Sequence, residues 1–93
     1  MNMPAISFGV DHKSNIPYKH KLYSYIEEIN SKSENELIIE MYNVKLSRFS
    51  KITQGYRIYW NIGNGEYQRL FAMEYLNEQA VECYLVGYLS NLK

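Results

Sequence analysis

Tyr56-Arg57-Ile58-Tyr59-Trp60-Asn61-Ile62-Gly63-Asn64-Gly65-Glu66-Tyr67-Gln68-Arg69-Leu70-Phe71 is the stretch on which the fold turns. Tyr56, Ile58, Trp60 and Ile62 alternate with Arg57, Tyr59 and Asn61, the period-two pattern of a half-buried strand. Asn64-Gly65 is the preferred pair for a two-residue type I′ turn, because both central residues need positive φ. With those two residues as the loop, Gly63 faces Glu66, Ile62 faces Tyr67, Trp60 faces Arg69, Ile58 faces Phe71 and Tyr56 faces Met73. Turn chemistry and pattern agree in this register. The face carrying Tyr56, Ile58, Trp60, Tyr67, Phe71 and Met73 is therefore assigned to the core. The face carrying Arg57, Tyr59, Asn61, Gln68 and Leu70 is assigned to solvent.

Upstream, Leu37, Ile39 and Met41 alternate with Ile38, Glu40 and Tyr42, a further strand. The apolar phase then shifts to Val44 and Leu46, which predicts a bulge or turn near Tyr42-Asn43. Residues 47–54 show no clear period and read as a loop or irregular edge. Leu22, Tyr25, Ile26 and Ile29 form one stripe at helical spacing, so a helix is predicted from Pro17 to about Ser31, capped by Ser14 or Asn15. Its charges, Lys19 and Lys21 early and Glu27 and Glu28 late, run against the helix dipole. Such a helix depends on packing, or its cationic start faces something negative. Before it, Ile6, Phe8 and Val10 alternate as a short strand and residues 11–15 read as a loop.

Downstream, Asn77 is placed to cap a last helix, with Glu78 in its first turn. Val81, Tyr84, Leu85, Tyr88, Leu89 and Leu92 make a continuous stripe. Glu78 and Glu82 fall on the other side and read as a solvated face. Cys83 reads as a small buried residue, and Gly87 as a point where another backbone comes close. The predicted order is (β)αβββα. The fold class is α+β: a two-layer sandwich with a three- or four-stranded antiparallel sheet and two helices, one small globular domain over residues 1–93.

Composition narrows the function. Ten Lys and Arg balance ten Asp and Glu, for a formal net charge of zero. That excludes a uniformly basic nucleic-acid coat, and it argues against the small RNA-cleaving toxins of similar length, which are strongly basic as a group. A single cysteine makes no internal disulfide, and His12 and His20 have no metal-ligand spacing, so no metal, cofactor or catalytic residue is expected. Neither a secretory leader nor a run of about 20 apolar residues is present, and with one unpaired cysteine the expected location is cytoplasmic, in its own or a host cell.

Ten tyrosines stand among fourteen aromatic residues. Tyr is favoured at protein contacts, because it combines a rigid apolar body with a polar tip. An AT-rich genome would also enrich Tyr, Asn, Lys and Ile. Residues 41–65 hold Lys45, Arg48, Lys51 and Arg57 without an acid, interleaved with rings. The candidate partner-binding set is Tyr59, Arg57, Asn61, Gln68, Lys45, Arg48 and Lys51, a positive face suited to a partner with acid groups. The expected function is a small non-enzymatic protein-binding module that engages a larger protein. Chains of this size and composition include phage- or plasmid-encoded inhibitors of host machinery such as anti-CRISPR proteins. The alternative is a small nucleic-acid-binding protein using residues 41–60. A homodimer through the last helix is a further expectation.

Overall fold

A computed structural model describes residues 2–7, 12–45 and 51–92. Its elements are β1 (Asn2–Ser7), α1 (Lys21–Lys32), β2 (Leu37–Lys45), β3 (Ile52–Gly63), β4 (Glu66–Leu70) and α2 (Glu78–Ser90). The order is the βαβββα of an α+β sandwich. The strands form one antiparallel sheet in the order β1-β4-β3-β2. Both helices lie on one face, where Leu22, Ile26, Ile29, Val81 and Leu85 pack on Leu37, Ile39, Tyr56 and Ile58. They run in the same direction: Lys21 at the start of α1 meets Glu78 and Glu82 at the start of α2, and Ser33 just past α1 meets Tyr88 near the end of α2. No helix among the described residues is long and apolar enough to cross a membrane.

The hairpin turn forms as its residues dictate, with Asn64 at φ 56° and Gly65 at φ 74°. Its register differs from the sequence expectation beyond Gly63. Gly63 does face Glu66, but the next pair is Asn61 with Tyr67, followed by Trp60 with Gln68, Tyr59 with Arg69 and Ile58 with Leu70. Ile62 is the extra residue of a β-bulge, made possible by Gly63 at φ 94° and held by the Asn61 carboxamide oxygen, which accepts from the Gly63 N–H at 2.9 Å. A one-residue slip exchanges the two faces of the following strand. Tyr67 and Arg69 therefore join Tyr59 on the face away from the helices, while Gln68 and Leu70 turn to the helix side. Phe71 leaves the strand at φ 65°, Met73 is exposed, and the chain rejoins β3 at Leu76, which exchanges two backbone hydrogen bonds with Tyr56.

Other expectations change as well. β2 has no bulge at Tyr42-Asn43, and its pairing with β3 runs unbroken to Lys45 opposite Ile52. Val44 is apolar because it packs on the second face, in the space Gly55 leaves open: a Cβ on Gly55 would lie 2.5 Å from the Val44 Cγ2. The first helix begins at Lys21, not Pro17, with His20 as its cap. Ser14 and Asn15 instead cover the outer edge of β2. The Ser14 hydroxyl accepts from Ile39 N–H at 2.9 Å, and the Asn15 carboxamide bonds both N–H and C=O of Met41. Asn30 does the same for Leu37. Side-chain amides thus close an edge that would otherwise pair with another strand. Cys83 is exposed, since it lies two positions beyond the buried Val81 and turns away from the sheet. Gly87 has no neighbour within 4 Å of an added Cβ, so no backbone among the described residues approaches it closely. Phe8, Val10, Leu46 and residues 47–50 of the expected irregular stretch lie outside the described residues, while residues 52–54 of that stretch are not irregular but the paired start of β3.

Candidate functional site

Of the seven residues expected to bind a partner, the six that are described do not share one exposed face. Tyr59 is 3% exposed and forms a second small core with Ile38 and Tyr67, with Ile6 packed against it. The His12 ring stands edge-on to both tyrosines, 5.2 Å from Tyr59 and 5.4 Å from Tyr67. Burial pushes the Tyr59 hydroxyl pKa up, as does Glu40, while Arg57 and Arg69 oppose the rise. The slip that brings Tyr67 to this face supplies the ring that covers Tyr59.

Arg57 is turned toward its own chain. Its Nε donates to the Glu74 carbonyl at 3.1 Å, its guanidinium lies 4.6 Å from the Tyr42 ring centroid, and Nη1 is 3.9 Å from Glu40. Arg69 donates to the same Glu74 carbonyl at 3.2 Å and to that of Met73, and the Tyr42 hydroxyl donates to Glu74 at 2.7 Å. Three donors on one carbonyl pin the 71–75 connection against the sheet. Asn61 holds the bulge, and Gln68 is on the opposite face. Lys45 and Lys51 are exposed at the far end of the hairpin, and Lys45, opposite Ile52, has the strand parity of the helix side. Arg48 lies outside the described residues. The basic side chains described in 41–60 do not form one continuous stripe.

A second cluster joins the starts of the two helices. Lys21 Nζ is 3.1 Å from Glu78 and 3.2 Å from Glu82. His20 Nδ1 accepts the Leu22 N–H at 3.1 Å, which places the ring proton on Nε2, 3.1 Å from Glu78 and 3.2 Å from the Tyr56 hydroxyl. The cationic start of α1 does face something negative, and the acids read as a solvated face are its partners. The Lys21 ammonium holds the Glu78 carboxyl below its ordinary range, and Glu78 in turn raises the Lys21 pKa. His, Tyr, Glu and Lys are the material of acid–base chemistry, but here they bond to one another and Tyr56 is fully buried. The cluster fastens α1, α2 and β3 together. Among the described residues, no group of three or more His, Cys, Asp or Glu could hold a metal ion.

The third feature is a groove of about 540 Å³ that sequence reasoning did not find. Trp60, Ile62, Gln68 and Leu70 line it from the sheet, Tyr88 from α2 and Leu92 just past it, Lys32 from the last turn of α1 and residues 33–35 from the connection that follows. It exists because α1 packs on β2 and α2 on β3, so that among the described residues no helix covers the same face of β4 and β1. Trp60 is tilted against Tyr88 at 5.4 Å, Tyr88 lies 6.2 Å from Tyr84, and Tyr84 meets Phe71 edge-on at 5.6 Å. Burial raises the Tyr84 hydroxyl pKa, against a hydrogen bond from Trp60. Ile62, expected in the core, is 45% exposed. The bulge that removes it from the sheet interior puts it in this groove. Tyr84 and Tyr88, four apart at the margin of the helical stripe, were the only sequence signal of an aromatic wall. The chain matches no family model, no curated protein and no solved structure, so its function is read from its own residues.

Proposed function

We propose that the chain is a non-enzymatic protein-binding module that docks a larger partner in the groove between the end of α2 and the uncovered half of the sheet. One observation carries this reading: Trp60 and Tyr88 meet beside the exposed Ile62 in an open groove with polar residues on its rim. Trp and Tyr dominate binding hot spots, because they bury large rigid area and keep a polar handle. The volume suits a few partner side chains, within the roughly 300–1,000 Å³ of ordinary ligand sites. A small module that fills a surface of a larger protein acts by occluding it, which fits an inhibitory role.

Affinity capture from the native cell with the wild-type chain and an Ile62→Lys variant tests the proposal. Ile62 is exposed, so the charge leaves the fold intact, which thermal unfolding verifies. The expected result is a protein retained by the wild type and lost by the variant. A protein retained equally by both places the docking surface elsewhere. Capture of nucleic acid that falls away steeply with salt supports the other class of partner and overturns this one.

A further inference from the structure

The groove lies at the end of the molecule where both helices finish, since α1 and α2 run in the same direction. Each helix C-terminus carries about half a negative elementary charge from its aligned peptide dipoles, and two of them meet here. Among the described residues little offsets them. The one basic residue in the last turn of α1, Lys32, has its ammonium 3.1 Å from the Glu28 carboxylate. The last turn of α2 holds no basic residue. Glu34 on the groove rim is exposed and has no ion-pair partner among the described residues. The rings of Trp60 and Tyr88 add the negative faces of their π-systems, which attract a guanidinium or ammonium.

Resting on the protein-binding reading above, we infer that the groove takes a basic, partly apolar segment of the partner, with an Arg or Lys side chain against Trp60 and Tyr88 and within reach of Glu34. The apolar stem of such a side chain suits Ile62, Leu70 and Leu92, while its charged head stays near the rim. This inverts the expectation of an acidic partner, because Arg57 of the face that motivated it is engaged within the chain and Tyr59 is buried.

Trp60 is the sole tryptophan in the chain, so its emission reports the groove directly. The probes are a short capped peptide alternating leucine and arginine, and its counterpart with glutamate in place of arginine. The arginine peptide should change Trp60 emission saturably, several-fold more tightly than the glutamate peptide, and the effect should weaken with salt. Glu34→Lys should lower arginine-peptide affinity several-fold with unchanged thermal unfolding. Equal or tighter binding of the glutamate peptide, or no effect of Glu34→Lys, overturns the inference. Loss of the captured partner on Ile62→Lys, with no preference for the arginine peptide, leaves the docking surface standing and removes only its charge preference. If Ile62→Lys retains the partner and neither peptide changes the emission, both readings fall.

Discussion

Replacing Tyr59 by Ala separates the observed hairpin register from the one its turn and pattern suggest. In the suggested register Tyr59 sits on the solvent face and its loss changes stability little, whereas Ile62 faces Tyr67 in the core. In the structure Tyr59 is 3% exposed between Ile38 and Tyr67, and Ile62 is 45% exposed in the bulge. Truncating a buried aromatic side chain to Ala costs about 3–5 kcal/mol, the transfer and cavity terms together. Fully burying an Ile is worth roughly 1.5–3 kcal/mol, so truncating a half-exposed one costs about 1 kcal/mol. A chain of this length has about 5–14 kcal/mol in all. Tyr59→Ala should therefore remain folded at room temperature but sit near its limit. With a urea dependence of about 1–3 kcal/mol per molar, its unfolding midpoint should fall by roughly 2 M, several times the shift of Ile62→Ala. Equilibrium urea unfolding of the two variants checks this. A loss below about 1 kcal/mol for Tyr59→Ala, or a larger loss for Ile62→Ala, would refute the bulged register and the second core with it.

Asn30→Ala should cost about 1–3 kcal/mol, because its carboxamide is the partner of both the N–H of Leu37 at 2.6 Å and its C=O at 3.2 Å; amide hydrogen exchange should speed up selectively at Leu37. Stability should fall at both extremes of pH. Glu78 is held below its ordinary value of 4.5 by Lys21, so its contribution is complete above that value and is lost as pH drops through the folded-state pKa. With Lys21 and Glu78 side chains 53% and 42% exposed, solvent keeps that acid limb shallow, and Glu78→Gln should flatten it. Tyr56 and Tyr59 are raised above 10.0 by burial, and Lys21 above 10.5 by its carboxylate partners, so their contributions are present below those values and drain as pH climbs past them. Urea midpoints across pH, with tyrosinate absorbance followed on the alkaline side, measure both limbs.

The candidate groove was barely legible in the residues that form it. Trp60 and Ile62 alternate with polar neighbours like any core-facing pair, and nothing local says that a helix lies over one strand of the sheet and not the next. Arg57 reads as a surface cation because an arginine in a strand usually is one. Its partner, the Glu74 carbonyl, is a backbone atom seventeen positions away and leaves no trace in side-chain pattern. Glu78 and Glu82 look solvated in the sequence for the same reason: Lys21 and His20 reach this pair of acids only once α1 and α2 lie side by side.

The sequence by itself determined the elements whose cause is local. The Asn64-Gly65 turn follows from the positive φ its residues tolerate, the α2 start from the Asn77 cap, and the helix stripes and strand alternation from the period of their apolar residues. With those came the element order and the two-layer α+β class. Tertiary structure decided register, edges and exposure. Gly63 permits a bulge but does not require one; what selects it is that Tyr67 then covers Tyr59 and Leu70 meets the helix side. Ser14 and Asn15 have the chemistry of helix caps, and the open edge of β2 takes them instead. Which side of the sheet stays open depends on where two helices settle across four strands, a choice made by long-range packing that the period of a single segment does not encode.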